Sequence, residues 1–588
     1  MSLKAGLRRR LGPPAAFALA ARALAADPFF ETDVAAKMRD GVVLRADVAR
    51  PDREGRFPVL VYRTPYGKSA AFKDYSTFER AVARGYAVVI QDVRGRYASE
   101  GEFEPYRNEG RDGYDTIEWA AAQPWSNGSV GTFGLSYPGA VQWLAAVESP
   151  PHLKAMAPAM TFSTPRNFFH SGGVFDLSWL GWIWNNIAAD VRVRKKLPGP
   201  TTDEAAAAEW RRVREDLSAR LPLTNLPELR EVAPYYFAWM SHPPGDPWWD
   251  WCEIRNKYER VQAAVLNLSG WYDEAYGPEG AITNFVGLAA SRRDQAQLRA
   301  NLVLGPWVHG VSATAETESG DRRFGRAAAI DYDELILRWM DRHVRGLNNG
   351  IDLERPVRVF VMGENAWHES ESWPLAGLRE TPLYLARGGA AGPGALRWNA
   401  AAVEPGTSTF VSDPERPVSD PFAARVGAHD YRELPRRADV LTFETEPLEE
   451  ALTVVGRLTA EIFLSTDAPD TDLWVKVFDV APDGTAFNLM SPGLDLLRAS
   501  YRNGGPSREL LSPDQVYTLR LDQLFTGNSF LKGHRIRVCL MAAFMPHFSR
   551  NLQTGELEMA SSAMRKARLT VHHGGRNASR LVLSVLPR

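Results

Sequence analysis

Cysteine is nearly absent from this chain: 588 residues carry two, Cys252 and Cys539. Two are too few for a disulfide framework or a zinc site, and both read as buried thiols. Net charge is nearly absent as well, with 69 Lys and Arg against 71 Asp and Glu. That balance argues against nucleic acid or an anionic membrane as a main partner. No apolar run reaches the roughly 18 residues of a membrane span. Histidine is scarce, eleven in all, and no metal-ligand cluster is visible, so neither metal nor cofactor is expected. Internal repeats are missing too.

What remains is ordinary globular composition, 45% hydrophobic and 24% charged, at a length that calls for two or three domains. The first 26 residues are ambiguous. A basic start, Lys4 and Arg8 to Arg10, precedes an apolar stretch with an ALA-A step, the outline of a secretory signal. Pro13, Pro14 and Arg22 interrupt it, so a flexible arm is the equal alternative. The compartment, cytoplasmic or secreted, stays open, as does the oligomeric state, where a homo-oligomer is allowed.

From residue 27 to 160, strand-like runs alternate with helical periods: PVLVYRTPY, Phe78 to Ala83, YAVVIQ, Asp115 to Gln123, Ala155 to Thr161. That rhythm predicts a mostly parallel sheet with helices on both faces. Residues 161–255 break it. Helical periods dominate there, strands are not expected, and Trp179, Trp182 and Trp184 recur at helical spacing. This reads as a helical cap. The α/β rhythm returns over 256–352, closing with the amphipathic YDELILRWMDRHV. From 353 to 588, beginning with VRVFVMGENAW, short alternating strands fit an all-β sandwich or jelly roll. Arg387 to Asp420, rich in Gly, Ala and Pro, reads as a loop excursion within it.

The chemistry centres on Val130 to Leu144, VGTFGLSYPGAVQWL. A β-prone run leads to Ser136, flanked by Gly134 and Gly139, and continues into a helix-prone run. Strand, sharp turn, helix is the context in which G-x-S-x-G is a nucleophile elbow. The plainer alternative is a glycine-rich turn with a capping serine. An activated serine needs a base and an acid to orient it. In this fold they follow in the order Ser, acid, His, on loops just after strands. Asp273 follows VLNLSGWY and His309 follows NLVLGPWV, which makes Ser136, Asp273 and His309 the candidate triad. The oxyanion needs donors. One is the Tyr137 backbone N–H, after the nucleophile. The second is expected from the TPYGK loop, which has no glycine run but offers the Tyr66 phenol; a packing tyrosine is the alternative. For an apolar pocket over Ser136 the candidates are Trp179, Trp182, Phe175 and Trp271, although the cap tryptophans could equally fill the cap's own core.

The stretches RTPYGK, GYAVVIQDVRGRYASEGEF, WSNGSVGTFGLSYPGAVQW, GWYDE, LGPWVH and GHRIRVCLMAAFMPHFSRN resemble the cocaine-esterase-like serine hydrolases, the CocE/NonD group. That group is related to the X-prolyl dipeptidyl-peptidases of the S15 family and to α-amino acid ester hydrolases. The resemblance runs from about residue 40 to the end. It implies an α/β-hydrolase core with a helical cap and a C-terminal jelly roll, the triad above, and an oxyanion hole of the Tyr66 hydroxyl and the Tyr137 N–H. Related amino-ester hydrolases hold the substrate ammonium with carboxylates. Here Ala275 and Tyr276 follow Asp273 and Glu274, and Arg166 and Asn167 occupy the cap approach. A buried ammonium without a paired carboxylate is costly. The expected activity is therefore hydrolysis of a small carboxylic ester with a neutral or aromatic acyl group. The runners-up are an amidase, amino-acid ester acylase or X-prolyl dipeptidyl-peptidase. A binding protein on an inactive hydrolase scaffold belongs to a different class, and the presence of all three triad candidates counts against it.

Overall fold

The computed structural model describes residues 28–164, 168–292, 299–388 and 393–587. The N-terminal arm and the expectations placed on Arg166 and Asn167 lie outside them. Ten strands form the first sheet: β1 Phe29–Lys37, β2 Val43–Arg50, β3 Phe57–Thr64, β4 Ala87–Asp92, β5 Ser126–Leu135, β6 Leu153–Ala159, β7 Ala264–Tyr272, β8 Ala300–Val308, β9 Val357–Val361 and β10 Ala366–Ser370. Their spatial order is β1-β2-β4-β3-β5-β6-β7-β8-β9-β10. From β4 to β9 every neighbouring pair is parallel. Parallel strands need cover on both faces and read as continuous apolar runs. Accordingly β4 and β7 are buried at every position. Helices Ser76–Ala83 and Tyr332–His343 cover one face, tied where Asp333 accepts from Ser76 and Thr77. Helices Glu109–Ala121 and Tyr137–Ala146 cover the other, under the cap.

The last two strands of this sheet differ from the sequence expectation, which assigned VRVFVMGENAW to the β-rich domain. Val357 to Val359 instead pair in parallel with Leu302 to Leu304, and the chain returns as the antiparallel edge strand β10. The sheet therefore ends at Ser370, past the expected break at 352. A short apolar run carries no mark of which sheet it joins; here an unpaired β8 edge takes it.

The segment between β6 and β7 is mainly helical: Ser178–Asn186, Ala188–Lys195, Asp203–Ala219 and Pro234–Ser241. It is not strand-free. His170–Ser171 and Val174–Phe175 form a two-residue ladder turning on Gly172 and Gly173. The C-terminal part is all-β, with twelve strands in one hydrogen-bonded network. Its longest ladder joins Leu452–Thr466 to Tyr517–Phe530. The Arg387–Asp420 excursion contributes two of those strands, Gly394–Arg397 and Gly406–Ser412, the latter paired along its length with Ala567–His573. Both cysteines are buried thiols. Among the described residues no helix is long and apolar enough to cross a membrane.

Candidate active site

Ser136 joins β5 to the helix Tyr137–Ala146 with φ 70° and ψ −129°, a conformation L-residues adopt only under constraint. The neighbouring glycines are obligatory. A Cβ on Gly134 would lie 2.6 Å from the Pro138 side chain, and one on Gly139 2.7 Å from the Ala159 carbonyl. The turn is held by the Ser136 N–H donating to Ala159 O at 3.0 Å. The Ser136 carbonyl accepts from the N–H groups of Gly139 and Ala140, at 2.8 and 2.9 Å. Tyr137 opens the helix, so its N–H has no intrahelical acceptor. Its phenol is anchored away from the site, donating to Glu109 at 2.9 Å while accepting from the Tyr106 N–H at 3.0 Å. Glu109 in turn pairs with buried Arg63 at 2.7 Å.

Asp273 leaves the end of β7 and is buried. Its Oδ1 accepts from His309 Nδ1 at 2.8 Å and from the N–H groups of Ala275 and Tyr276 at 3.1 and 3.3 Å. A carboxylate only accepts, so Nδ1 carries the hydrogen and Nε2 keeps its lone pair. The His309 N–H donates to Glu274 Oε2 at 3.0 Å. Burial disfavours charge on His309. The field of Asp273, its hydrogen bond and Glu274 together outweigh that and raise the imidazole pKa above its ordinary value.

Two phenols stand beside the Ser136 side chain, Tyr66 and Tyr276; burial raises the pKa of both and outweighs the hydrogen bond with Ser136 that lowers it. Tyr66 accepts from Trp182 Nε1 at 3.1 Å. With an acceptor site of its oxygen so occupied, the hydroxyl proton is available to another partner. Burial pushes the Tyr66 pKa up to about 12, so it stays a donor at neutral pH. Tyr276 meets the Tyr106 hydroxyl at 3.2 Å, stacks on Phe168 and leans on the His309 ring. Among the described residues no hydrogen bond joins Ser136 Oγ to His309; such contacts commonly close only with substrate in place.

The four pocket candidates part company. Trp182 is half-buried, bonded to Tyr66 and stacked parallel to Tyr137, with ring centroids 6.3 Å apart. Trp179 stands behind it, edge-on to Trp182 at 5.1 Å and to Phe168 at 4.5 Å. Phe175 does not join them. It is fully buried in the cap between His170 and Tyr236, because the ladder at 170–175 turns it inward. Trp271 is also fully buried. It presses on Gly527 of the C-terminal domain and donates to Phe360 O at 2.7 Å. By strand alternation it shares the face of Val265, which packs with the helix bearing Ser136, and it lines a cleft beside Asp273. Tyr276, beside the His309 ring and bonded to Tyr106, is a site residue that the sequence reading did not single out. The one available signal was an aromatic three positions after the candidate acid.

Arg96 is fully buried under the site. It donates to Pro65 O at 2.8 Å, Ile187 O at 3.0 Å and Asn186 O at 2.9 Å. One guanidinium thus joins the loop carrying Tyr66 to the C-terminal carbonyls of the cap helix carrying Trp182. Among the described residues no group of three or more His, Cys, Asp or Glu side chains could hold a metal ion.

Residues 40–311 match the X-Pro dipeptidyl-peptidase (S15 family), and residues 349–582 match the X-Pro dipeptidyl-peptidase C-terminal non-catalytic domain. The cocaine esterase of Rhodococcus sp. (strain MB1 Bresler) is 33% identical, over 95% of this chain and 98% of its own. Two solved structures share the fold. One is an aminopeptidase from a marine sediment Thaumarchaeota archaeon, with TM-score 0.78, 23% identity, and coverage of 100% of this chain and 99% of that one. The other is an α-amino acid ester hydrolase, with TM-score 0.72, 24% identity, and coverage of 96% and 97%.

Proposed function

The chain belongs to the CocE/NonD family of serine hydrolases, and from that premise we propose that it cleaves carboxylic esters through an acyl-enzyme on Ser136. His309 is the general base, Asp273 its orienting acid, and the Tyr66 hydroxyl with the Tyr137 N–H the oxyanion hole. The observation that carries this reading is the 2.8 Å bond from His309 Nδ1 to buried Asp273, made by a histidine whose free Nε2 belongs to the same site as a serine on a strained turn.

In the first half-reaction Ser136 Oγ bonds to the ester carbonyl carbon while His309 Nε2 takes the hydroxyl proton. Charge moves to the carbonyl oxygen, where the two donors stabilise it more than they stabilise the ground-state carbonyl. The bond to the alcohol oxygen then breaks, and His309 returns its proton to that oxygen. Water repeats the sequence to release the acid. The aromatic surround of Tyr106, Phe168, Trp179 and Trp182 suits a flat, neutral acyl group. Ala275 and Tyr276 offer no carboxylate to an α-ammonium, so esters of free amino acids are expected to be poor substrates.

Amide and X-prolyl cleavage is the second reading, favoured by the S15 match itself and by Glu274 beside His309. A panel of p-nitrophenyl esters, amino-acid esters and p-nitroanilides, Xaa-Pro substrates included, separates the two. The ester reading expects the highest kcat/KM on neutral esters. A preference of about tenfold or more for a matched amino-acid ester or an Xaa-Pro anilide, roughly 1.4 kcal/mol in transition-state binding, would overturn it.

A further inference from the structure

Tyr276 borders both the His309 ring and a cleft. On one side its hydroxyl meets the Tyr106 hydroxyl at 3.2 Å, and its ring lies 5.6 Å from the His309 ring. On the other side Tyr276 and Phe168 line a narrow cleft between the acid loop and the 490–494 turn of the C-terminal domain. Ser136 does not line that cleft. The two rings are face to face, with centroids 4.4 Å apart and planes within 9°. Phe168 is braced in turn by Phe162 and Trp179. A stacked pair, fixed at one end by a phenol–phenol hydrogen bond and at the other by aromatic packing, is a wall. Behind it the cleft presents Met490, Leu494 and Phe548, side chains that an alkyl chain could contact, beside the carboxylates of Asp176, Glu274 and Glu279.

We propose that Tyr276 sets the depth of the acyl pocket and so excludes long acyl chains. The proposal rests on the reading that Ser136 carries the acyl group. A short or flat acyl group bonded to Ser136 Oγ fits in front of the wall. A long chain meets the Tyr276 ring and has no path to the cleft. Removing the ring joins the two spaces, whereas removing only the hydroxyl leaves the wall standing.

The test is the ratio of kcat/KM for p-nitrophenyl octanoate to that for p-nitrophenyl acetate, measured on the full chain. Wild type is expected to favour acetate. Tyr276→Ala should raise the octanoate-to-acetate ratio by about tenfold or more, the scale on which apolar pockets discriminate chain length. Tyr276→Phe should keep the wild-type ratio even if both rates fall. If Tyr276→Ala gives no cooperative unfolding transition, Tyr276→Val opens the same wall and carries the test. An unchanged ratio in the folded small-residue variant would overturn the proposal. So would a wild type that already turns over octanoate as well as acetate. If Tyr276→Ala lost both esters in equal proportion while folded, Tyr276 would be serving the reaction itself and the depth-setting role would fall. Failure of the underlying reading looks different: wild type would then turn over neither ester.

Discussion

At the scale of single residues, the account turns on what each polar group has left to offer once its structural bonds are made. The Tyr66 oxygen already accepts from Trp182, so its proton is what it can lend to a developing oxyanion. Tyr66→Phe keeps the ring and deletes that proton. It should lower kcat by about 10² to 10³ with little change in KM, because the charge it stabilises exists only in the transition state. Single-turnover kinetics check this; a kcat above about a third of wild type with chemistry rate-limiting would remove Tyr66 from the oxyanion hole. Asp273 leaves His309 only one productive tautomer. Asp273→Asn permits the other and should cost up to about 10⁴ in rate. A histidine base works neutral, and the His309 pKa is raised in the folded protein. As pH falls through that raised value His309 charges and kcat/KM declines, so the acid limb should lie above the ordinary imidazole pKa of about 6.5. A flat profile down to about pH 5 would contradict a histidine base.

The residues that sequence could reach are those whose signal is local. Ser136 announces itself by the glycines at 134 and 139, and Asp273 and His309 by their places after buried-strand runs. Tyr276 could not be reached. What gives it a role is contact with Phe168 and with Tyr106, 170 positions away, and nothing in DEAYG encodes those meetings. Phe175 turns into the cap's interior for the same reason. Aromatic character is legible in a sequence; the direction in which a ring points is decided by the ladder or strand that carries it.

At the scale of elements, Arg96 joins two pieces that flank the site. Its fork reaches three carbonyls on two segments, the Tyr66 loop and the end of helix Ser178–Asn186. A lysine ammonium cannot reproduce that planar geometry. Arg96→Lys should leave buried carbonyls without donors and cost about 1–3 kcal/mol of stability, seen as a lower midpoint in denaturant unfolding. An unchanged midpoint would show that the fork is not what holds the cap to the core. Element types were legible where periodicity was long, as in Tyr332–His343 with its Asp331 side chain accepting from the Glu334 N–H. Element membership was not. VRVFV reads as a short strand in either sheet, and the edge offered by β8 decides where it pairs.

At the scale of the whole molecule, the C-terminal domain is part of the hydrolase rather than an appendage. It grips the acid-bearing strand β7, where Tyr272 donates to Asn488 O at 2.9 Å and Ser491 donates to Tyr272 O at 2.7 Å. It also grips the cap, where Leu177 N–H donates to His547 O and Ser549 N–H to Phe175 O. Trp271 is the apolar centre of the first grip. Trp271→Ala should cost about 3–5 kcal/mol, the usual penalty for emptying a large buried aromatic site, read as a lowered unfolding midpoint. A stability close to wild type would mean the two domains hold together without it.

Acylation of Ser136 can be read out with a fluorophosphonate probe followed by intact-mass and peptide mass spectrometry. The account predicts one adduct per chain, on the peptide carrying Ser136, with esterase activity lost in step with labelling and no adduct on Ser136→Ala. Full labelling at another residue, or a Ser136→Ala enzyme that still hydrolyses esters near the wild-type rate, would contradict it.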